Sequence, residues 1–341
     1  MSAPSSEKQA AVTVIDITDP TCAGDGTNLV DMDAIQLQQS PFHARRIIVQ
    51  TEIASVLFHS TNSRVRTRSS IGEGQIAYTL FGPHAEGSVN GIAVGPGLML
   101  AIAPNVEINV VANSNWETTT FLLPPDFVRN HLVARQRGDQ FSLPHGLDML
   151  EVSISSAQKL FNWGKLLVET AASQVSTFNE QKDGLLAIQC DLIENLLETL
   201  GTGKDFQTSG SERTKQRRSL IVKIAENYAQ SQNCTNIYVS DLCHVTGVCE
   251  RTLEYAFKET MGLTPVAFLN RLRLHRVRHE LRLATPQSTT IAKEALRWGF
   301  WHFGEFSHAY NECFGELPSE TLLSAGSRNG AAVLVGLKQF E

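Results

Sequence analysis

Three arginines, Arg64, Arg66 and Arg68, stand two residues apart in the stretch NSRVRTRSSIGEG. Side chains of an extended strand alternate between its faces, so all three guanidinium groups fall on one face, where solvent or an anion must offset their repulsion. A phosphate-rich ligand would do this, and so would a solvated row beside a loop.

A second group has the chemistry to read base edges. In SDLCHVTGVCERTLEYAFKETMG, Leu253 and Phe257 recur at helical spacing and face inward, which leaves Arg251, Glu254 and Tyr255 outward. Arg grips guanine bidentately and Glu accepts from cytosine N4. In TIAKEALRWGFWHFGEFSHAYNECFGELPSETL, Phe306 and Tyr310 fix the inward face, and His302, Phe303, Gly304, Glu305, Ser307 and His308 lie outward. That mixture suits contact with thymine methyls, or shape readout, better than many direct hydrogen bonds. Between the two, TPVAFLNRLRLHRVRHELRLA carries Arg271, Arg273, Arg276, Arg278 and Arg282. A solvated helix face would account for them; phosphate contact by Arg273, Arg276 and Arg278 is the sharper expectation.

The elements that must position these residues follow from periodicity. Gly247 and Gly299 each interrupt a helical apolar pattern that resumes beyond them, which predicts two helix-turn-helix units within residues 219–323. Residues 201–218, GTGKDFQTSGSERTKQRR, are nearly free of apolar side chains and predict a linker. Residues 41–200 begin with short strand-like runs (IIVQTEIASVLFHS, QIAYTLF, LMLAIA, VEINVVA, TTTFLL) punctuated by Gly, Pro and Asn, the pattern of an antiparallel sandwich or small barrel. Helical spacing follows: Leu185, Leu186, Ile188, Leu192, Ile193, Leu196, Leu197 and Leu200 form a stripe for packing on the barrel, for dimerisation, or for both. Residues 1–40 predict a loosely held polar leading segment, and 324–341 receive no assignment. The expected class is α+β: an N-terminal β-barrel with packed helices, a linker, and an all-α C-terminal domain.

With 341 residues the chain has room for two or three domains. No apolar run reaches the roughly 18 residues of a membrane helix, and the start lacks the basic and apolar regions of a signal peptide, so a cytoplasmic location is expected. Cysteines 22, 190, 234, 243, 249 and 313 are scattered and read as free thiols. The net charge of −6 is uneven: residues 1–210 give 13 − 22 = −9, whereas 211–321 give 14 − 12 = +2. The C-terminal part therefore carries the sign that nucleic acid requires.

The run RWGFWHFGEFSHAYNECFGELPSETL resembles the C-terminal signature of AraC-type transcriptional regulators. The resemblance implies two helix-turn-helix units joined by a long helix, a cupin-like barrel as sensor, double-stranded DNA as partner, RNA polymerase as the target of an activator, and a homodimer. It assigns base contact to the stretches CERTLEY and WHFGEFSH. Cupin enzymes hold a metal through a closely spaced His-x-His, but His43, His59 and His84 stand apart, so no metal, cofactor or enzymatic activity is expected. Arg64-x-x-x-Arg68 followed by Glu86-x-Ser88-x-x-Gly91 is also similar to the two-part cyclic-di-GMP motif of PilZ domains, with Glu86 where Asp or Asn is usual. RxxxR recurs at Arg213/Arg217 and Arg278/Arg282. Together the resemblances imply an activator whose dimerisation and promoter binding respond to cyclic di-GMP held by Arg64, Arg66, Arg68, Glu86, Ser88 and Gly91, of the type that controls exopolysaccharide genes. The alternative is a regulator sensing another metabolite, ethanolamine- or sugar-like, inside the barrel.

Overall fold

The computed structural model describes residues 12–24, 29–38, 40–51, 53–136, 143–174, 182–232, 237–284 and 287–324. Cys234, residues 1–11 of the leading segment and all of the tail beyond 324 lie outside them. Two antiparallel sheets form the N-terminal part. The first contains β1 (Val12–Ile17), β3 (Ala44–Gln50), β4 (Ser55–Thr61), β11 (Trp116–Leu123), β6 (Ile76–Phe81), β9 (Leu98–Ile102), β12 (Leu147–Glu151) and β13 (Lys204–Asp205), in that spatial order. The second runs β2 (Val30–Gln36), β5 (Val65–Ile71), β10 (Glu107–Ala112), β7 (Gly87–Val89), β8 (Ile92–Val94). Their facing sides share one apolar core that includes Ala44, Val65, Ile71, Phe81, Leu100, Trp116 and Leu122. The α+β class and the cupin-like layout hold, in the form of a two-sheet sandwich that keeps its edges instead of a closed barrel.

The outer face of the first sheet is covered by α1 (Pro125–Ala134), α2 (Ile154–Ser173) and α3 (Lys182–Leu200). The stripe Leu192, Ile193, Leu196, Leu197 and Leu200 is buried in that core, so α3 uses its apolar face within the protomer. Gly164 of α2 faces the sheet at close range: a Cβ there would meet Thr119 Cγ2 at 2.5 Å.

Two boundaries differ from the sequence reading. Residues 12–17 and 30–36 of the leading segment are not loosely held, because β1 pairs with β3 and β2 with β5 along their full lengths. The segment's β-branched residues carry strand preference that its many polar residues conceal. The linker is shorter than 201–218: α4 (Gly210–Ser231) begins inside it, where Ser209 accepts from the Glu212 amide and Glu212 accepts from the Ser209 amide. An apolar count misses such a capping box.

Beyond α4 come α5 (Val239–Thr246), α6 (Glu250–Met261), α7 (Pro265–Leu283), α8 (Ile291–Arg297) and α9 (Phe303–Phe314). Helices α4 to α7 share a core with Ile35 and Val111 of the second sheet and with Leu37 just past β2, while α7 to α9 form a separate core around Phe306, Tyr310 and Phe314. The molecule is thus stacked as helices, sheet, sheet, helices.

Candidate nucleic-acid interface and the seam behind it

Each helix-turn-helix unit is set by local chemistry. Helix α5 ends at Gly247, whose φ of +66° is a left-handed cap that glycine adopts without steric cost, and the chain turns there into α6. Leu253, Ala256, Phe257 and Met261 are fully buried beneath α6, and Phe257 meets Phe268 of α7 at 5.3 Å between ring centroids. This packing leaves Arg251 and Tyr255 exposed, with the Arg251 guanidinium 5.7 Å from the Tyr255 ring centroid; Glu254 is half-buried, 3.7 Å from Lys258. In the second unit the Thr290 hydroxyl caps α8 by accepting from the Lys293 amide, and Gly299, at φ +84°, makes the turn. Phe306 and Tyr310 point inward, and the Tyr310 hydroxyl pairs with that of Thr321 at 2.8 Å. His302, Phe303, Gly304, Glu305 and His308 are exposed and Ser307 is half-exposed. Trp301, which opens the stretch WHFGEFSH, lies beside them and is 74% exposed.

The long connecting helix corrects the phosphate-contact expectation. Of Arg273, Arg276 and Arg278, Arg276 is exposed. Arg273 donates to the Ile237 carbonyl at 3.2 Å. Arg278 is buried, 2.9 Å from Asp19 and 3.2 Å from Glu316, with its guanidinium 4.4 Å from the Phe314 ring centroid. Arg282 also pairs with Asp19. Burial opposes ionisation of Asp19, but the Arg278 charge and the Arg282 hydrogen bond outweigh it and hold the carboxyl below its ordinary range. Asp19 is far from α7 in sequence, and no local pattern announces the pairing.

The arginine row receives a similar correction. Strand β5 alternates as the sequence reading requires: Val65, Thr67, Ser69 and Ile71 face the sandwich interior, and Arg66 and Arg68 face α4. The anion that offsets their repulsion is supplied by the protein. Arg66, 2% exposed, lies 2.6 Å from Glu226 of α4 and donates to Asn109 Oδ1 at 2.7 Å. Arg68 pairs with Glu107 at 3.0 Å and donates to Gln230 at 2.7 Å, while Lys223 reaches Glu107 at 2.8 Å. Partial burial raises the Glu107 pKa, but hydrogen bonds from Lys223 and Arg68 outweigh it and leave the group below its usual range. His275 of α7 is driven down to about 3 by burial, so it is neutral and accepts at Nε2 from the Gln36 amide. These contacts form a seam between the second sheet and the C-terminal helices.

Arg64, Glu86 and Ser88 line one open cleft beside α6, with Glu259 and Thr260 opposite. Gly91 belongs to the seam: a Cβ there would come within 2.6 Å of the Lys215 carbonyl oxygen, so α4 packing requires it. Of the six residues expected to hold cyclic di-GMP, the fold brings three to one cleft and commits Arg66, Arg68 and Gly91 to α4.

Inside the sandwich lies a separate cavity of about 100 Å³, mostly apolar, lined by residues of both sheets including Arg46 and His59. Neither was a candidate in the sequence reading. The signal was there: Ala44, Arg46 and Ile48 alternate, so a basic residue occupies an inward position of a buried strand. Among the described residues no helix is long and apolar enough to cross a membrane, and no three His, Cys, Asp or Glu side chains are grouped to hold a metal.

A family model described as a helix-turn-helix domain matches residues 242–324. The probable thc operon regulatory protein of Rhodococcus erythropolis is 34% identical over 102 residues, 30% of this chain and 31% of that protein, so the chain spans about a third of that relative. The XylDLEGF operon transcriptional activator 1 of Pseudomonas putida is 25% identical over 67% of each chain. Among solved structures, a probable AraC family transcriptional regulator from Rhodopseudomonas palustris CGA009 is 37% identical, with 31% of this chain and 96% of that one covered and a TM-score of 0.29. The AraC-like transcriptional activator CuxR is 12% identical, with 77% and 94% covered and a TM-score of 0.38. Two helix-turn-helix units on one connecting helix, together with the family match across both, make residues 242–324 an AraC-family helix-turn-helix domain.

Proposed function

We propose that the protein is a cytoplasmic transcription regulator that binds double-stranded DNA through α6 and α9 and takes its signal from a small molecule in the sandwich cavity. The paired helix-turn-helix geometry carries this reading: both second helices keep an uncovered outer face, and Arg276 on the helix between them stays free for phosphate. Two such helices fit adjacent major-groove segments about one helical turn, roughly 34 Å, apart. Strand β5 supplies a physical link from signal to DNA, because its inner side chains line the cavity and its outer arginines grip α4. Selection of bound duplexes from a random pool by the full chain is expected to enrich a two-part site with that spacing. Recovery of unenriched sequence would remove the specific-binding reading.

A second reading rests on the convergence of Arg64, Glu86 and Ser88: cyclic di-GMP binds in their cleft, drives homodimerisation, and promotes contact of an activator with RNA polymerase, with exopolysaccharide genes as targets. Use of all six motif residues would require α4 to release Arg66 and Arg68. Calorimetry with cyclic di-GMP is expected to show binding that Arg64→Ala abolishes; no heat with the wild type ends this reading.

A further inference from the structure

Among the described residues two arginines are almost completely buried, and the chain treats them differently. Arg66, at 2% exposure, meets the carboxylate of Glu226. Arg46, at 1%, forms no ion pair among the described residues. Its Nη2 donates to the Met32 sulfur at 3.2 Å, and its Nη1 has no hydrogen-bond partner there. A buried guanidinium is always charged, and leaving it uncompensated in an apolar environment is costly. Arg46 lies on the wall of the sandwich cavity, so the uncompensated charge borders a space that can hold a molecule.

The neighbouring register completes the site. Arg46 on β3 lies directly across from His59 on β4, and His59 directly across from Thr118 on β11; all three line the cavity. His59 Nδ1 is buried and without a hydrogen-bond partner, and burial, with the Arg46 charge, pushes the ring down to about 3, so it is neutral at physiological pH. One cation, one neutral imidazole and one hydroxyl thus share a row, and the wall elsewhere includes Leu57, Phe81, Leu100 and Trp116.

We infer that the cavity binds a small organic monocarboxylate, its carboxylate on Arg46 and His59 and its hydrocarbon part against the apolar wall. This rests on the reading of the cavity as the sensor site. A carboxylate matches the guanidinium fork with two oxygens and one negative charge. A phosphate dianion would bring a second charge with no second cation among the lining residues, and a neutral sugar would leave Arg46 uncompensated. At about 100 Å³ the space is smaller than the roughly 150 Å³ cavity that admits benzene, which limits the hydrocarbon part to at most one ring or a short branched chain.

The test is calorimetric titration of the full chain with hexanoate, cyclohexanecarboxylate and benzoate, each beside its neutral amide, for wild type, Arg46→Met and Arg46→Lys. At least one acid is expected to bind tenfold or more tightly than its amide, with the preference lost in Arg46→Met and partly kept in Arg46→Lys. Should Arg46→Met fail to fold, the acid-to-amide ratio in the wild type still decides. Equal binding of acid and amide overturns the carboxylate inference and leaves the cavity a sensor of neutral molecules. Absence of binding by every probe overturns the inference and the sensor reading together.

Discussion

Glu226→Leu is expected to destabilise the chain by about 3–5 kcal/mol, because it strands the Arg66 guanidinium in a buried site with only neutral acceptors, Asn109 Oδ1 and the Thr67 carbonyl. The loss comes less from the pair's own attraction than from the desolvation of the charge left behind. Arg66→Met combined with Glu226→Leu should therefore recover most of the stability, to within about 1 kcal/mol of wild type, since both charges leave the interior together. Guanidinium unfolding of the two singles and the double reads this directly. A Glu226→Leu midpoint equal to wild type would mean that α4 does not clasp β5 in solution, and the proposed route from cavity to DNA would lose its connecting element.

Arg251→Ala is expected to weaken binding to the selected duplex by about 1–3 kcal/mol and to relax preference at one base pair, since the side chain stands exposed on the first turn of α6, where a guanine edge can be gripped bidentately. Arg276→Ala should act otherwise, with affinity falling alike on all duplexes and the salt slope dropping by about one. Equal loss across sequences for Arg251→Ala would move that residue from base readout to backbone contact. Glu254→Ala is expected to cost less than Arg251→Ala, because Lys258 lies beside Glu254.

The period-3.6 runs around Gly247 and Gly299 were legible because a helix-turn-helix is a local object: inward aromatics, a left-handed glycine and a resumed helix all lie within a short span. The outward lists on α6 and α9 follow from the same periodicity. Strand alternation likewise placed Arg64, Arg66 and Arg68 on one face. What faced them was not legible, since Glu226 and Gln230 arrive from a helix more than 150 residues along the chain. Arg278 was misassigned for the same reason: Asp19 sits in a segment whose polar composition concealed two strands. Arg46 carries a usable signal, a charge at an inward strand position between Ala44 and Ile48.

Competition binding at fixed salt, with the full chain titrated against its selected duplex and against a scrambled duplex of equal composition, tests the central claim most directly. A sequence-specific regulator is expected to prefer its site by roughly 10³-fold or more. A ratio near one, with affinity set by salt alone, would contradict the account and leave a basic helical domain that binds DNA without reading it.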